Sequence, residues 1–159
     1  MFDGNALISG NETEFEKAIE ELSPELFRYA VGILLSHSDA EDAVQNAFIS
    51  LWQKRSTIKN PEAVRAYLYK SVYRASVDIM RKKKISIPVM QVSQEQSLSE
   101  ELCTALSKLS VMERAIVYER AVNETSYAEL AERTGLKEEN IRKKYERARK
   151  KMAKYLSDE

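Results

Sequence analysis

One cysteine, one histidine, four glycines and three prolines are spread over 159 residues. Cys103 has no partner within the chain for a disulfide and no second thiol for a zinc site, and His37 makes no metal pair, so neither a disulfide framework nor a metal centre is expected. Cys103 stands at helical apolar spacing with Leu102 and Leu106 and reads as buried filler, and His37 reads as a surface loop residue. So few glycines and prolines disfavour a fold of many short strands and favour helices. There is no glycine-rich phosphate loop, and the acids sit on regular helix faces, so an enzyme, a cofactor and a small-molecule substrate are not expected. No apolar run approaches the roughly 18 residues of a membrane span. The start, MFDGNALISG, lacks the basic head and apolar core of a signal peptide, which suggests a cytoplasmic protein.

What is abundant is charge, and it is segregated. Lys plus Arg equals Asp plus Glu at 25 each. Residues 1–53 nevertheless hold two basic and ten acidic groups, and residues 54–84 hold ten basic and two acidic. The split recurs, with five basic against nine acidic in 100–141 and eight against one in 142–154. One charge run alone would suit a solvated helix face. Two runs in parallel positions point to a polyanion, nucleic acid ahead of an acidic membrane surface.

The pattern implies two small helical domains. Residues 1–11 are expected to be disordered, 12–84 to form the first domain, 85–99 a linker and 100–157 the second. In the first domain a short helix is expected over Glu14–Glu21, starting from Thr13, and a second from Ser23-Pro24, where a hydroxyl precedes proline at the first helical position. SDAE at Ser38–Glu41 reads as a capping box opening a helix with Val44, Ala47, Phe48, Leu51 and Trp52 inward. Asn60-Pro61 opens a third long helix with Val64, Leu68, Val72, Ala75 and Ile79 inward and Lys70, Arg74, Asp78 and Arg81 on another side.

The second domain is expected to start with a helix near Glu100–Lys108, followed by capping boxes at Ser110–Glu113 and Ser126–Glu129. In SYAELAERTGLKEENIRKKYERARKK, Ala131, Gly135 and Ile141 have the spacing of a helix-turn-helix. A small residue stands where the helices cross, a glycine at a left-handed turn, and a branched side chain locks the second helix onto the first. That second helix buries Ile141, Tyr145, Ala148 and Met152 and leaves Arg142, Lys143, Glu146, Arg147 and Lys150 outward, as a helix lying in a major groove would.

From about Glu14 to Leu156 the chain resembles a known family. DAEDAVQNAFISLW, Asp39–Trp52, is similar to region two of bacterial RNA polymerase sigma factors, and the helix-turn-helix stretch resembles their region four. Two domains joined by a short linker look like the extracytoplasmic-function group. The resemblance implies a transcription initiation factor that binds core RNA polymerase, through the coiled coil of its largest subunit and its flap region, and places it on the minus-10 and minus-35 elements of promoter DNA. An anti-sigma factor is a further implied partner. By position, Asp42, Gln45 and Asn46 fall on the polymerase contact. Tyr67, Lys70, Arg74, Arg81, Lys82 and Lys83 fall on the minus-10 surface, and Asn140, Arg142, Lys143, Glu146, Arg147 and Lys150 on the minus-35 surface. The chemistry agrees, since Arg suits guanine edges or phosphate, Glu accepts from cytosine, and Tyr67, Tyr69 and Tyr73 can stack on or pack beside unstacked bases.

The sequence departs from the family pattern at Arg74, where Asn is usual, at Tyr67 and Val64, where Trp and Phe are usual, and at Leu109-Ser110, where the family has Leu-Pro. Two acids, Glu138 and Glu139, stand at the recognition-helix N-terminus, where phosphate would be more at home. These departures would also suit a sigma-like adaptor with weak promoter recognition. The C-terminal stretch alone would suit a plain helix-turn-helix regulator.

Overall fold

A computed structural model describes residues 1–83 and 99–156, so Lys84 and the expected linker, apart from Ser99, lie outside the described residues. Every regular element described is helical. The chain divides into two compact units, Met1–Ala30 with Ser38–Lys84, and Val31–His37 with Ile85–Glu159.

The N-terminus is folded, contrary to the expectation of disorder over 1–11. Helix α1, Gly4–Ile8, is capped by Asp3, whose Oδ1 accepts from the amides of Asn5 and Ala6 at 2.9 and 3.2 Å, and Leu7 is fully buried. Gly4 lies against Pro61, where an added Cβ would come within 2.7 Å of the proline ring, so only glycine fits this approach. The Asp3 amide donates to Glu14 Oε2 at 2.7 Å, and this bond, with one from Lys17, holds the Glu14 carboxyl below its ordinary range.

Helix α2, Glu12–Leu34, replaces the two helices expected around Thr13 and Ser23-Pro24. It begins behind Asn11, whose side chain accepts from the Glu14 amide, and runs through Pro24. A proline inside a helix costs about 3 kcal/mol. The buried residues Ala18, Leu22, Leu26 and Ala30 recur every fourth position across it, so a break at Ser23 would throw one half of the stripe out of phase with the core. Burial of that stripe outweighs the lost hydrogen bond.

Helix α3, His37–Lys54, starts before Ser38, so Ser38 lies in its first turn rather than at the cap, and His37 is a half-buried helical residue, not a loop residue. Val44, Ala47, Phe48 and Leu51 are buried as expected, whereas Trp52 is half-buried. Its ring packs at 4.8 Å on Phe15 and carries the Arg55 guanidinium 4.0 Å above its face. A 3-10 turn, Pro61–Ala63, capped by Asn60, leads into helix α4, Val64–Lys82. Tyr69 and Ser76 are buried on α4, and Ala75 and Ile79 are only half-buried. The Tyr69 hydroxyl donates to Glu25 at 2.8 Å, and Arg65 pairs with the same carboxylate, which raises the Arg65 pKa through that hydrogen bond.

In the second unit, helices α5 (Glu100–Ser107), α6 (Val111–Ala121), α7 (Tyr127–Thr134) and α8 (Glu138–Leu156) enclose two apolar clusters. One holds Ala105, Leu106, Leu109, Ala148 and Met152, and the other Ile116, Leu130 and Ile141. Cys103 is buried, and burial pushes its thiol pKa up, which makes it inert filler. Arg114 is buried too, with burial lowering its pKa to about 10, and its Nη1 donates to the carbonyls of Leu106 and Leu109 at the end of α5.

Ser110 and Glu113 complete the capping box of α6, and Lys151 on α8 closes on Glu113 at 3.2 Å. Burial raises the Glu113 pKa, but the bonds from Ser110 and Lys151 outweigh it and leave the carboxyl below its ordinary 4.5. A lowered folded pKa means that the stabilisation is present above the unfolded value and is lost as pH falls through the folded one. Glu113→Gln should therefore cost about 1 kcal/mol at neutral pH and flatten the loss of stability between about pH 5 and 3. Thermal midpoints across that range test it, and parallel curves for the two proteins would refute it.

Candidate nucleic-acid interface

On the first unit, α3 and α4 border a groove of about 380 Å³, within the roughly 300–1,000 Å³ of ordinary ligand sites. From α3 come Asn46, Ser50 and Lys54, one turn apart each, and from α4 Tyr67, Arg74 and Lys82. Tyr67 is tied by its hydroxyl to Ser50 Oγ at 2.7 Å, which fixes a half-buried ring at the groove wall. Lys54, Arg74 and Lys82 face one acid there, Asp78, so the groove is electropositive. It joins Tyr67, Arg74 and Lys82 and adds Lys54, which opens the basic 54–84 segment but was not singled out, and Ser50, which sequence reading missed. The signal for both was the 46, 50, 54 spacing, on a face away from the core stripe.

Other residues expected on the minus-10 surface lie elsewhere on α4 or at its end. Lys70 is exposed outside the groove lining, and Arg81 stands 3.7 Å from Asp78. Lys83 pairs with the buried Asp39, so its charge is engaged within the unit. Asn46, grouped by sequence with Asp42 and Gln45, faces the groove. Asp42 and Gln45 are exposed on α3, and one turn beyond Gln45 stands Ile49, 55% exposed.

On the second unit, the helix-turn-helix has the expected geometry. Gly135 ends α7 in the left-handed region, φ 76°, and its amide donates to the Ala131 carbonyl at 2.9 Å. Ile141 is fully buried, and Asn140, Arg142, Lys143, Glu146, Arg147 and Lys150 are all exposed on α8. Tyr145, expected inside, is only half-buried. It stands edge-on to Tyr127 at 6.3 Å, with the Arg149 guanidinium 5.6 Å from its ring. Lys143 is paired with Glu139 at 3.2 Å, whereas Arg142 rests over the Tyr127 ring at 5.0 Å.

A buried ionic network, which sequence reading also missed, braces this unit. Glu119, 3% exposed, accepts from Arg133 at 2.6 Å, Asn123 at 3.1 Å and Thr125 at 3.4 Å, and so ties the end of α6 to α7. Among the described residues no group of three or more His, Cys, Asp or Glu is placed to hold a metal ion.

The sigma-70 region 2 model matches residues 18–85, and the sigma-70 region 4 model matches 99–152. The chain belongs to the sigma-70 family. Within it, the chain is a sigma factor of the extracytoplasmic-function group, directing RNA polymerase to promoters and carrying no catalytic activity of its own. It is 27% identical over 150 residues to RNA polymerase sigma factor SigV of Bacillus subtilis, covering 89% of this chain and 90% of that one. It is 25% identical over 159 residues to the extracytoplasmic-function sigma factor SigM of Mycobacterium tuberculosis, covering 95% and 81%. Two solved structures share its fold at 22% identity. The sigma factor RpoE, in complex with the anti-sigma factor NepR from Bartonella quintana, has a TM-score of 0.77 over 92% of this chain and 98% of that one. CnrH, in complex with the cytosolic domain of CnrY, has a TM-score of 0.76 over 98% and 96%. No helix among the described residues of the sigma factor is long and apolar enough to cross a membrane.

Proposed function

We propose that this sigma factor divides its contacts with polymerase and promoter among three surfaces. The α3–α4 groove with Tyr67 and Arg74 takes an unstacked base of the minus-10 element, and Lys70, Arg81 and Lys82 hold the adjoining phosphates. The outward face of α8, with Asn140, Arg142, Lys143, Glu146, Arg147 and Lys150, reads the minus-35 element in the major groove. The Asp42 and Gln45 edge of α3, with Asn46 at its border, docks on the coiled coil of the polymerase's largest subunit, and the second unit approaches the flap region. The observation that supports this most is the cation-lined groove that brings a fixed tyrosine ring and an arginine together. A stacking platform beside positive charge is what captured single-stranded bases require. Contact with DNA suits a cytoplasmic location, and the structural neighbour solved with the anti-sigma factor NepR supports an anti-sigma factor as a further partner.

The acidic edge suits a basic docking partner, with exposed Ile49 as an apolar neighbour. Replacing Asp42 and Gln45 together by Ala should reduce capture of core polymerase about fivefold while leaving helical content unchanged, because neither side chain is in the core. Capture on immobilised core enzyme reads this directly, and unchanged capture would remove the edge from the contact. Transcription from a promoter library with core polymerase, with and without this chain, tests the reading as a whole.

A further inference from the structure

The surface of α8 presents two adjacent cations, Arg142 and Lys143, and the structure holds them in different ways. Lys143 is engaged by Glu139 one turn earlier, so a DNA contact through it must compete with an acid. Arg142 makes no ion pair within 4.0 Å among the described residues. Its guanidinium lies 5.0 Å from the centroid of Tyr127, the first residue of α7. An exposed arginine is long and rotamer-rich, and holding its planar head on a ring before binding reduces the freedom lost when it meets a base edge.

The ring is itself braced. Arg120 donates through Nη1 to the carbonyl of buried Thr125 at 2.8 Å, and its guanidinium lies 4.2 Å from the same Tyr127 centroid. Tyr145 meets Tyr127 edge-on at 6.3 Å, and the Tyr127 side chain packs against the cluster of Ile116, Leu130 and Ile141. A chain of contacts therefore runs from the loop before α7, through Arg120 and the ring, to the outward arginine of α8.

We propose that Tyr127 is a positioning residue for Arg142: its ring face sets the guanidinium in the orientation from which it reads one base of the upstream promoter element. This rests on the reading of α8 as the minus-35 reader. It commits Arg142, rather than Lys143, to sequence discrimination, and it makes the aromatic face of Tyr127, not its hydroxyl, the working part.

The test is a selection from randomised upstream sequences with holoenzyme carrying wild type, Arg142→Ala, Tyr127→Phe or Tyr127→Leu. The expected result is that Arg142→Ala abolishes preference at one position. Tyr127→Leu should relax the same position by about two- to fivefold, in keeping with a surface cation–π contact. Tyr127→Phe, which keeps the ring face, should match wild type. A Tyr127→Leu profile with full preference at that position overturns the proposal, as does one that weakens every position equally, which is the mark of a merely structural role. If Arg142→Ala leaves an enriched wild-type preference unchanged at every position, the proposal falls while the reading of α8 stands. If wild type itself enriches no upstream sequence, the reading of α8 fails and the proposal falls with it, which separates the two failures. A second measurement needs no variant to fold. In the full chain, ring current from Tyr127 should displace the Arg142 side-chain proton resonances upfield, and resonances at ordinary exposed-arginine positions would overturn the stacked geometry.

Discussion

Glu119→Ala should destabilise the second unit by about 3 kcal/mol, a large share of the roughly 5–15 kcal/mol that holds a typical domain together. The carboxylate, on α6, is almost wholly buried, and of its three partners Asn123 and Thr125 come from the following loop and Arg133 from α7. Arg133 is itself only 22% exposed and also stands 4.0 Å from Glu129, so truncating Glu119 removes the shorter of these two ion pairs and strands the buried Thr125 hydroxyl. Burying unpaired polar groups, more than losing the ion pair's own attraction, is what costs. Glu119→Gln keeps an acceptor for Asn123 and Thr125 and should lose clearly less. Urea unfolding of the full chain measures both, and an alanine variant as stable as wild type would mean that the network is incidental. Because the network ties α7 to α6, transcription from promoters that depend on an upstream element should fall with it.

Arg74→Ala should slow promoter opening by roughly tenfold and change binding to closed duplex far less, since capturing an unstacked base contributes about 1–3 kcal/mol and follows docking. The argument is geometric. Arg74 and Tyr67 line one groove, Tyr67 is pinned to Ser50, and Arg74 is exposed, so its truncation removes a ligand without opening the core. Tyr67→Phe, which frees the ring from Ser50 but keeps its face, should lose only a few-fold. Permanganate footprinting of the melted region gives opening, and a filter or mobility assay on a closed complex gives binding. Equal losses in the two assays, together with a salt slope lowered by about one, would make Arg74 a phosphate contact instead.

Much of this molecule could be read locally. Ser110, Ser126 and Asn60 announce helix starts because a short oxygen-bearing side chain next to an orphan amide acts within three residues. Gly135 announces the turn because a positive φ excludes most side chains. The stripe of Val44, Ala47, Phe48 and Leu51, and the outward set from Asn140 to Lys150, follow from helical period alone. The segregation of charge and the two family signatures are likewise properties of the string of residues.

Other features were decided by contacts between residues far apart in sequence. Pro24 reads as a helix start, but the phase of the buried stripe on either side keeps α2 continuous. The first residues read as disordered, but Gly4 against Pro61 and the fully buried Leu7 dock them. Asn46 belongs to the groove because Tyr67, Arg74 and Lys82 arrive opposite it from α4, and Glu119 is a buried ion because Arg133 reaches it from α7. Tyr127 and Arg142 meet across the turn between two helices. The sequence by itself determined which segments are helical, which faces are apolar and which family the chain resembles, because these depend on propensity and spacing over a few residues. Tertiary structure alone decided where the helices join, which charges are buried and which side chains share a site, because burial free energy and ion pairing depend on neighbours that no local pattern contains.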